Sequence, residues 1–164
     1  MSAFNEVVYL YEKLKADYEL VGFHDNSQNL FLKYDKAFSI FKSEFEILVK
    51  NGVDLVFCNF SEAKLLTRED NFESCKRKMR EVVPRFVITL GEHGSYAFDG
   101  KHGYSSQSPK VSAQDSTGAG DTFAGAFLHY ICMGKEYGEA NRISNIFASE
   151  IVRRWGARLP NERI

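Results

Sequence analysis

Apolar positions along the chain alternate between helical stripes and short continuous runs. Val7, Leu10, Tyr11, Leu14 and Tyr18 recur at helical spacing, which predicts a helix over residues 4–18 with one apolar face. Glu19–Phe23 (ELVGF), closed by His24-Asp25-Asn26-Ser27, reads as a buried strand. A second helix is predicted from Leu30 to Val49, with Phe38, Phe41, Phe45 and Leu48 on one face and Asn51-Gly52 as its stop. Val53–Cys58 is a predicted strand, Ser61–Leu66 opens a helix, and Phe72–Val82 is a helix rich in charge. Arg85–Leu90 (RFVITL), entered from Pro84, is a strong strand pattern. Ser95–Phe98 and Gly103–Ser106, joined through Asp99-Gly100, have the turn chemistry of a hairpin. Ala119–Met133 is a helix apolar on nearly all sides that stops at Gly134, and Glu136–Trp155 is a last helix that stops at Gly156.

Short apolar strands alternating with helices imply an α/β protein with a mainly parallel sheet covered on both faces. Sheets of that kind place ligands at the carboxyl ends of their strands. There is no repeat, low-complexity tract or Pro/Ser-rich linker, so a single domain is expected. The chain opens on a helix, without an early glycine-rich loop, and its chemical signals crowd between Asn59 and Gly156. That distribution fits the back half of a larger α/β protein.

Composition narrows the partners. Of 164 residues, 44% are hydrophobic and 26% charged, a globular balance. Lys+Arg is 21 and Asp+Glu is 22, so the chain lacks the basic surplus that nucleic acid or an anionic membrane would require. No apolar run approaches the ~18 residues of a membrane span. The acids within the first apolar stretch argue for an amphipathic helix rather than a signal peptide. Cys58, Cys75 and Cys132 form no CxxC pair and cannot all be bridged, so reduced thiols and a cytoplasmic location are expected. The four histidines have no metal-ligand spacing.

The densest chemical signal is Asp115-Ser116-Thr117-Gly118-Ala119-Gly120-Asp121-Thr122-Phe123. Gly118, Ala119 and Gly120 let backbone approach a ligand closely at the point where a helix begins. The first N–H groups there point outward, and the helix dipole adds roughly half a positive charge. Together these make an anion site, although the segment has no Walker-type GxxxxGK[ST] pattern. A carboxylate at Asp121 beside such a loop can accept a hydroxyl proton while the loop steadies the group being transferred, the division of labour in phosphoryl transfer. The plainer reading is a tight turn with Asp121 as an ordinary first-turn acid.

DSTGAGD resembles the C-terminal D-T-x-G-A-G-D motif of the PfkB/ribokinase family of carbohydrate and nucleoside kinases, with Ser116 in place of the usual threonine. The likeness extends from about Glu19 to Pro160, and LVGFHDNSQN and GVDLVFCNFSEA are most similar to the adenosine-kinase-like branch. It implies a ribokinase-like doubly wound, mainly parallel sheet with helices on both faces. Residues 1–164 would then be a single partial domain, the C-terminal nucleotide-binding and catalytic half, with the N-terminal substrate and lid half absent. The implied activity is ATP-dependent phosphorylation of a sugar or nucleoside hydroxyl, with Asp121 as general base and Gly118, Ala119 and Gly120 as the anion hole.

Other residues take roles by the same resemblance. Asn59-Phe60-Ser61-Glu62 matches N-x-x-E, which implies Asn59 near the nucleotide phosphates and Glu62 acting on Mg²⁺ through water. Read locally, the same pair is a helix cap. Thr89, Gly91 and Gly94 would pass along the ATP phosphates and ribose, although locally they are a strand end turning into a hairpin. Asn145 would contact adenine, although locally it is a polar residue on a helix flank. RRWGA resembles an R-x-G-A segment and implies a monovalent cation such as K⁺ held by Asp115 and by carbonyls of Thr117, Ile151, Arg154 and Gly156. His93 reads as a solvated loop residue, and Phe123, Phe127, Ile131 and Met133 as core packing. Gly125 and Ala126 read as points of close approach, and Trp155 as a packed helix end or, alternatively, a flank of the adenine pocket. A sheet lacking its other half would expose an edge to a further copy or to the missing half. The rival class is a catalytically inactive fragment that serves as a nucleotide-binding or interaction module.

Overall fold

The structure, a computed structural model, describes residues 53–156. The predicted helices at 4–18 and 30–49 and the strand at 19–23 lie outside the described residues. The elements, in chain order, are β1 (Val56–Asn59), α1 (Phe60–Thr67), α2 (Phe72–Val82), β2 (Phe86–Thr89), a 3₁₀ turn (Gly91–His93), β3 (Ser95–Phe98), β4 (Gly103–Ser106), α3 (Ala119–Cys132) and α4 (Tyr137–Ile151).

Among the described residues the strands form one sheet in the order β1–β2–β3–β4. β1 and β2 run parallel, joined by the α1–α2 crossover. The predicted hairpin adds two antiparallel pairings, β2–β3 and β3–β4, so this part of the sheet is mixed. Its turn is closed by Asp99, whose Oδ1 accepts the N–H groups of Lys101 and His102, both at 2.7 Å.

Strand side chains point alternately to the two faces, and both faces are covered. On one, Val87 and Ala97 pack with Phe123 and Phe127 of α3 and Ala140 of α4. Phe57 meets Phe127 edge to face, at 5.5 Å between ring centroids. On the other, Phe86 lies beside Tyr96 and Phe98, and Phe72 of α2 meets Tyr96. Phe86, Val87 and Ile88 are fully buried, each stabilising the fold by about 1.5–3 kcal/mol.

Burial corrects several expectations. The first strand starts at Val56 and runs to Asn59, whose side chain caps α1, so the pattern at Val53–Cys58 reads three residues early. α3 is one-sided: Phe123 and Phe127 are buried and Ile131 packs beside them, whereas Leu128 and Met133 are exposed. Its apolar surplus faces outward because one helix–sheet interface buries only one stripe. α4 ends at Ile151, and Trp155 is 81% exposed rather than a packed helix end.

Two glycines have opposite meanings. A Cβ on Gly94, at φ +97°, would stand 2.0 Å from the Ser106 carbonyl oxygen. A Cβ on Gly125, within α3, would meet no described residue within 4 Å, so among the described residues Gly125 is not a point of close approach. Gly94→Ala is therefore expected to lower the unfolding free energy by about 2 kcal/mol or more. Gly125→Ala is expected to raise it by about 0.5–1 kcal/mol. Denaturant melts of the two variants check both signs.

Candidate nucleotide site

Asn59, Thr89 and Ser95 stand in one register row across β1, β2 and β3, so the carboxyl ends of the two parallel strands meet the start of β3. Beyond that row lies a cleft of about 650 Å³. Thr89 and the Gly91–Gly94 turn form one wall, and Ala119, Gly120 and Phe123 of α3 form another. Asn145, Ala148 and Ser149 of α4 and its cap residue Val152 contribute a third, and Pro109, Val111 and Ala113 reach it from the segment after β4. Most of this lining is apolar, the character of a ligand cleft with a few placed polar groups.

The loop at residues 115–120 opens into a helix where the sequence places one. Gly118 caps α3 in the left-handed conformation, at φ 79°, and α3 has no side-chain cap. The Ala119 N–H is spent on the Ser116 carbonyl at 3.2 Å, so it is not an open anion donor. The N–H groups of Gly118, Gly120 and Asp121 have no acceptor among the described residues. A Cβ on Gly120 would meet no described residue within 4 Å. Open space and unspent donors at a helix N-terminus fit a phosphate group. Asp121 is exposed on the same first turn and does not line the cleft.

Of the residues predicted from sequence, the cleft gathers Thr89, Gly91, Gly94, Ala119, Gly120 and Asn145. His93 stands at its rim with an 80% exposed side chain, as a solvated residue should. Asn59 and Glu62 do not line it. They form a reciprocal capping box on α1: Asn59 N–H donates to Glu62 Oε2 at 2.8 Å, and Glu62 N–H donates to Asn59 Oδ1 at 2.9 Å. Among the described residues no group of three or more acidic, histidine or cysteine side chains is assembled to hold a metal ion. Glu62 brings a single carboxylate, with Oε2 accepting the Asn59 N–H, which suits a hydrated ion reached through water rather than one coordinated directly.

Asp115 ties the loop to the end of α4. Its Oδ1 accepts the Thr117 N–H at 2.9 Å and its Oδ2 the Gly156 N–H at 3.1 Å. The N–H groups of Gln114 and Asp115 both donate to the Val152 carbonyl. Asp115, Thr117 and Gly156 thus form one hydrogen-bonded unit. The neighbouring Ile151 carbonyl accepts the Arg154 N–H at 3.2 Å, while the Arg154 side chain is exposed.

Sequence reasoning missed Ser95 and Asn141, which are 1% and 0% exposed and hold Asn145. The one available signal was the helical spacing of Asn141 and Asn145 on a single face. The apolar lining residues carry no chemical signature at all.

Residues 19–164 match the pfkB family carbohydrate kinase profile. The chain belongs to the pfkB family. It is 27% identical over 115 residues to an uncharacterized sugar kinase of Archaeoglobus fulgidus, covering 70% of this chain and 46% of that protein. The structure resembles that of adenosine kinase from Sinorhizobium meliloti, with a TM-score of 0.70, 28% identity, and coverage of 75% of this chain and 38% of the other. It also resembles Arabidopsis thaliana ribokinase complexed with ribose and ATP, with a TM-score of 0.59, 30% identity, and coverage of 64% and 36%. The pfkB chain spans less than half the length of these curated and structural relatives. Its architecture is part of the ribokinase-like α/β fold. No helix among the described residues is long and apolar enough to cross a membrane.

Hydrogen bonds from Thr117, by side chain and backbone, and then from the Gly156 N–H hold the Asp115 carboxyl below its ordinary value. A lowered carboxyl contributes stability above its unfolded value and loses it as pH falls through the folded value. Asp115 is therefore expected to titrate below an ordinary aspartate in a carboxyl carbon NMR titration. Asp115→Asn should lose less stability than wild type on acidification through the range where that carboxyl protonates. A midpoint at or above the ordinary value contradicts the tether.

Proposed function

We propose that residues 1–164 are the nucleotide-binding and catalytic half of an ATP-dependent phosphotransferase acting on a sugar or nucleoside hydroxyl. The observation that carries this reading is the cleft joining the Thr89–Gly94 turn, the open N-terminus of α3 and Asn145. Its apolar walls suit a base, and its donors lie where phosphates would follow. The similarity to a ribokinase complexed with ribose and ATP, and to an adenosine kinase, supports the same substrate classes.

In this reading the N–H groups of Gly118 and Gly120 hold the transferring phosphoryl group. Asp121, one residue further along the turn, accepts the proton of the attacking hydroxyl. Because Asp121 is exposed beside the cleft rather than within it, the nucleotide and the acceptor would approach α3 from different sides. Thr89, Gly91 and Gly94 pass along the phosphates and ribose, with Asn59 adjacent to Thr89 in the sheet row. Glu62, while capping α1, would hold a hydrated Mg²⁺ through the ion's waters, and the ion would supply positive charge to the phosphates. A monovalent cation would take the carbonyls of Thr117, Ile151, Arg154 and Gly156, with Asp115 supplying the negative charge.

The relatives are more than twice as long as the matched region, and the acceptor would be chosen mainly by the part of that fold that these residues do not match. The chain alone is accordingly proposed to bind nucleotide without turnover, which also accommodates a role as a binding module.

Two outcomes are expected. Asp121→Asn in the full-length gene product should lower kcat by about 10²–10⁴ while ATP still binds. Turnover within about threefold of wild type would remove Asp121 from the general-base role. The isolated chain, given ATP, Mg²⁺ and a panel of sugars and nucleosides, should release ADP no faster than background. Robust release with any acceptor would show that these residues suffice.

A further inference from the structure

Behind the cleft lies a buried hydrogen-bond chain with a defined direction. Asn141 Nδ2 donates to the Tyr104 carbonyl at 3.0 Å and to the Ser95 carbonyl at 3.5 Å. Both Asn141 amide hydrogens are thereby spent on backbone acceptors, which fixes its Oδ1 toward Ser95. The Ser95 hydroxyl donates its single proton to that Oδ1 at 2.6 Å. Ser95 Oγ therefore faces Asn145 only as an acceptor, and Asn145 Nδ2 donates to it at 2.7 Å. The second Asn145 amide hydrogen goes to the Asn141 carbonyl at 3.0 Å.

A primary amide has two donor hydrogens and one acceptor oxygen. Both Asn145 donors are consumed inside the protein, so only Oδ1 remains for a ligand. Asn145 lines the cleft. No buried side-chain nitrogen or oxygen among the described residues lacks a hydrogen-bond partner, so Oδ1 is not sealed away unpaired.

We infer that Ser95 and Asn141 are positioning residues that hold Asn145 as a pure acceptor toward the cleft, selecting a base edge that carries an amino donor over one that carries an oxo group. The inference rests on the nucleotide reading above. A 6-amino purine offers Asn145 a donor, whereas a 6-oxo purine sets oxygen against oxygen. The lock comes from backbone carbonyls on β3 and β4, so the preference is built into the sheet–helix junction.

The test is calorimetric titration of the 164-residue chain with ATP, inosine triphosphate and N6,N6-dimethyl-ATP. Wild type should prefer ATP over both analogues by about tenfold or more. Ser95→Ala releases the Asn145 amide to turn over, and its ATP-to-inosine-triphosphate preference should fall toward unity while ATP binding persists. Ser95→Thr, which keeps the hydroxyl, should restore the preference. A folded Ser95→Ala chain with the wild-type preference overturns the inference. So does wild type binding dimethyl-ATP as tightly as ATP, a result independent of any variant's folding. Wild type binding no nucleotide overturns the nucleotide reading itself, and this inference with it.

Discussion

Val87 on β2 packs toward α3 and α4, while Phe86 and Ile88 point to the face that carries α2, and all three are fully buried. This strand pairs in parallel with β1 on one side and antiparallel with β3 on the other. Both layers of helices are therefore referenced to four residues. A shift of β2 by one position would exchange its two faces and expel Phe86 into the space of Val87. The cleft begins where this strand ends, at Thr89, so its position is set by the strand rather than by loop preference.

From that anchor the chemistry follows by short links. The 3₁₀ turn after Thr89 bends the chain at Gly94 into β3, whose first residue, Ser95, holds Asn145 of α4. The C-terminal end of α4 in turn holds the loop at residues 115–120, through the carbonyl of its cap residue Val152 and through Gly156 bonded to Asp115. The open end of α3 is thus fixed relative to β2 by polar contacts more than forty residues apart in sequence. Burial at the core is non-directional, whereas these hydrogen bonds are directional, and they set the angle at which the helix end faces the cleft.

The sequence displayed elements better than faces. RFVITL, the Asp99-Gly100 hairpin and the GAGD helix start were legible because their signals are local: apolar runs, turn residues and small residues at a helix entry. The exposure of Leu128, Met133 and Trp155 was not legible, because burial depends on which neighbours arrive. Asn59 and Glu62 show the limit differently. The motif matches the family, and locally it is a complete capping box, so one pair of side chains satisfies both descriptions. Ser95 and Asn141 were invisible for a physical reason. A buried serine and asparagine acquire meaning only when β3 and α4, 46 residues apart, are brought together.

The central claim is that the cleft between the Thr89–Gly94 turn, α3 and Asn145 receives a nucleoside triphosphate. The most direct measurement is a backbone amide NMR titration of the isotope-labelled 164-residue chain with a non-hydrolysable ATP analogue. Saturable shifts are expected at Gly91, Gly94, Gly118, Gly120 and Asp121, with little change at Cys75 and Met79 on the opposite face of the sheet. Shifts confined to that opposite face, or none at all in a folded chain at millimolar analogue, would contradict it.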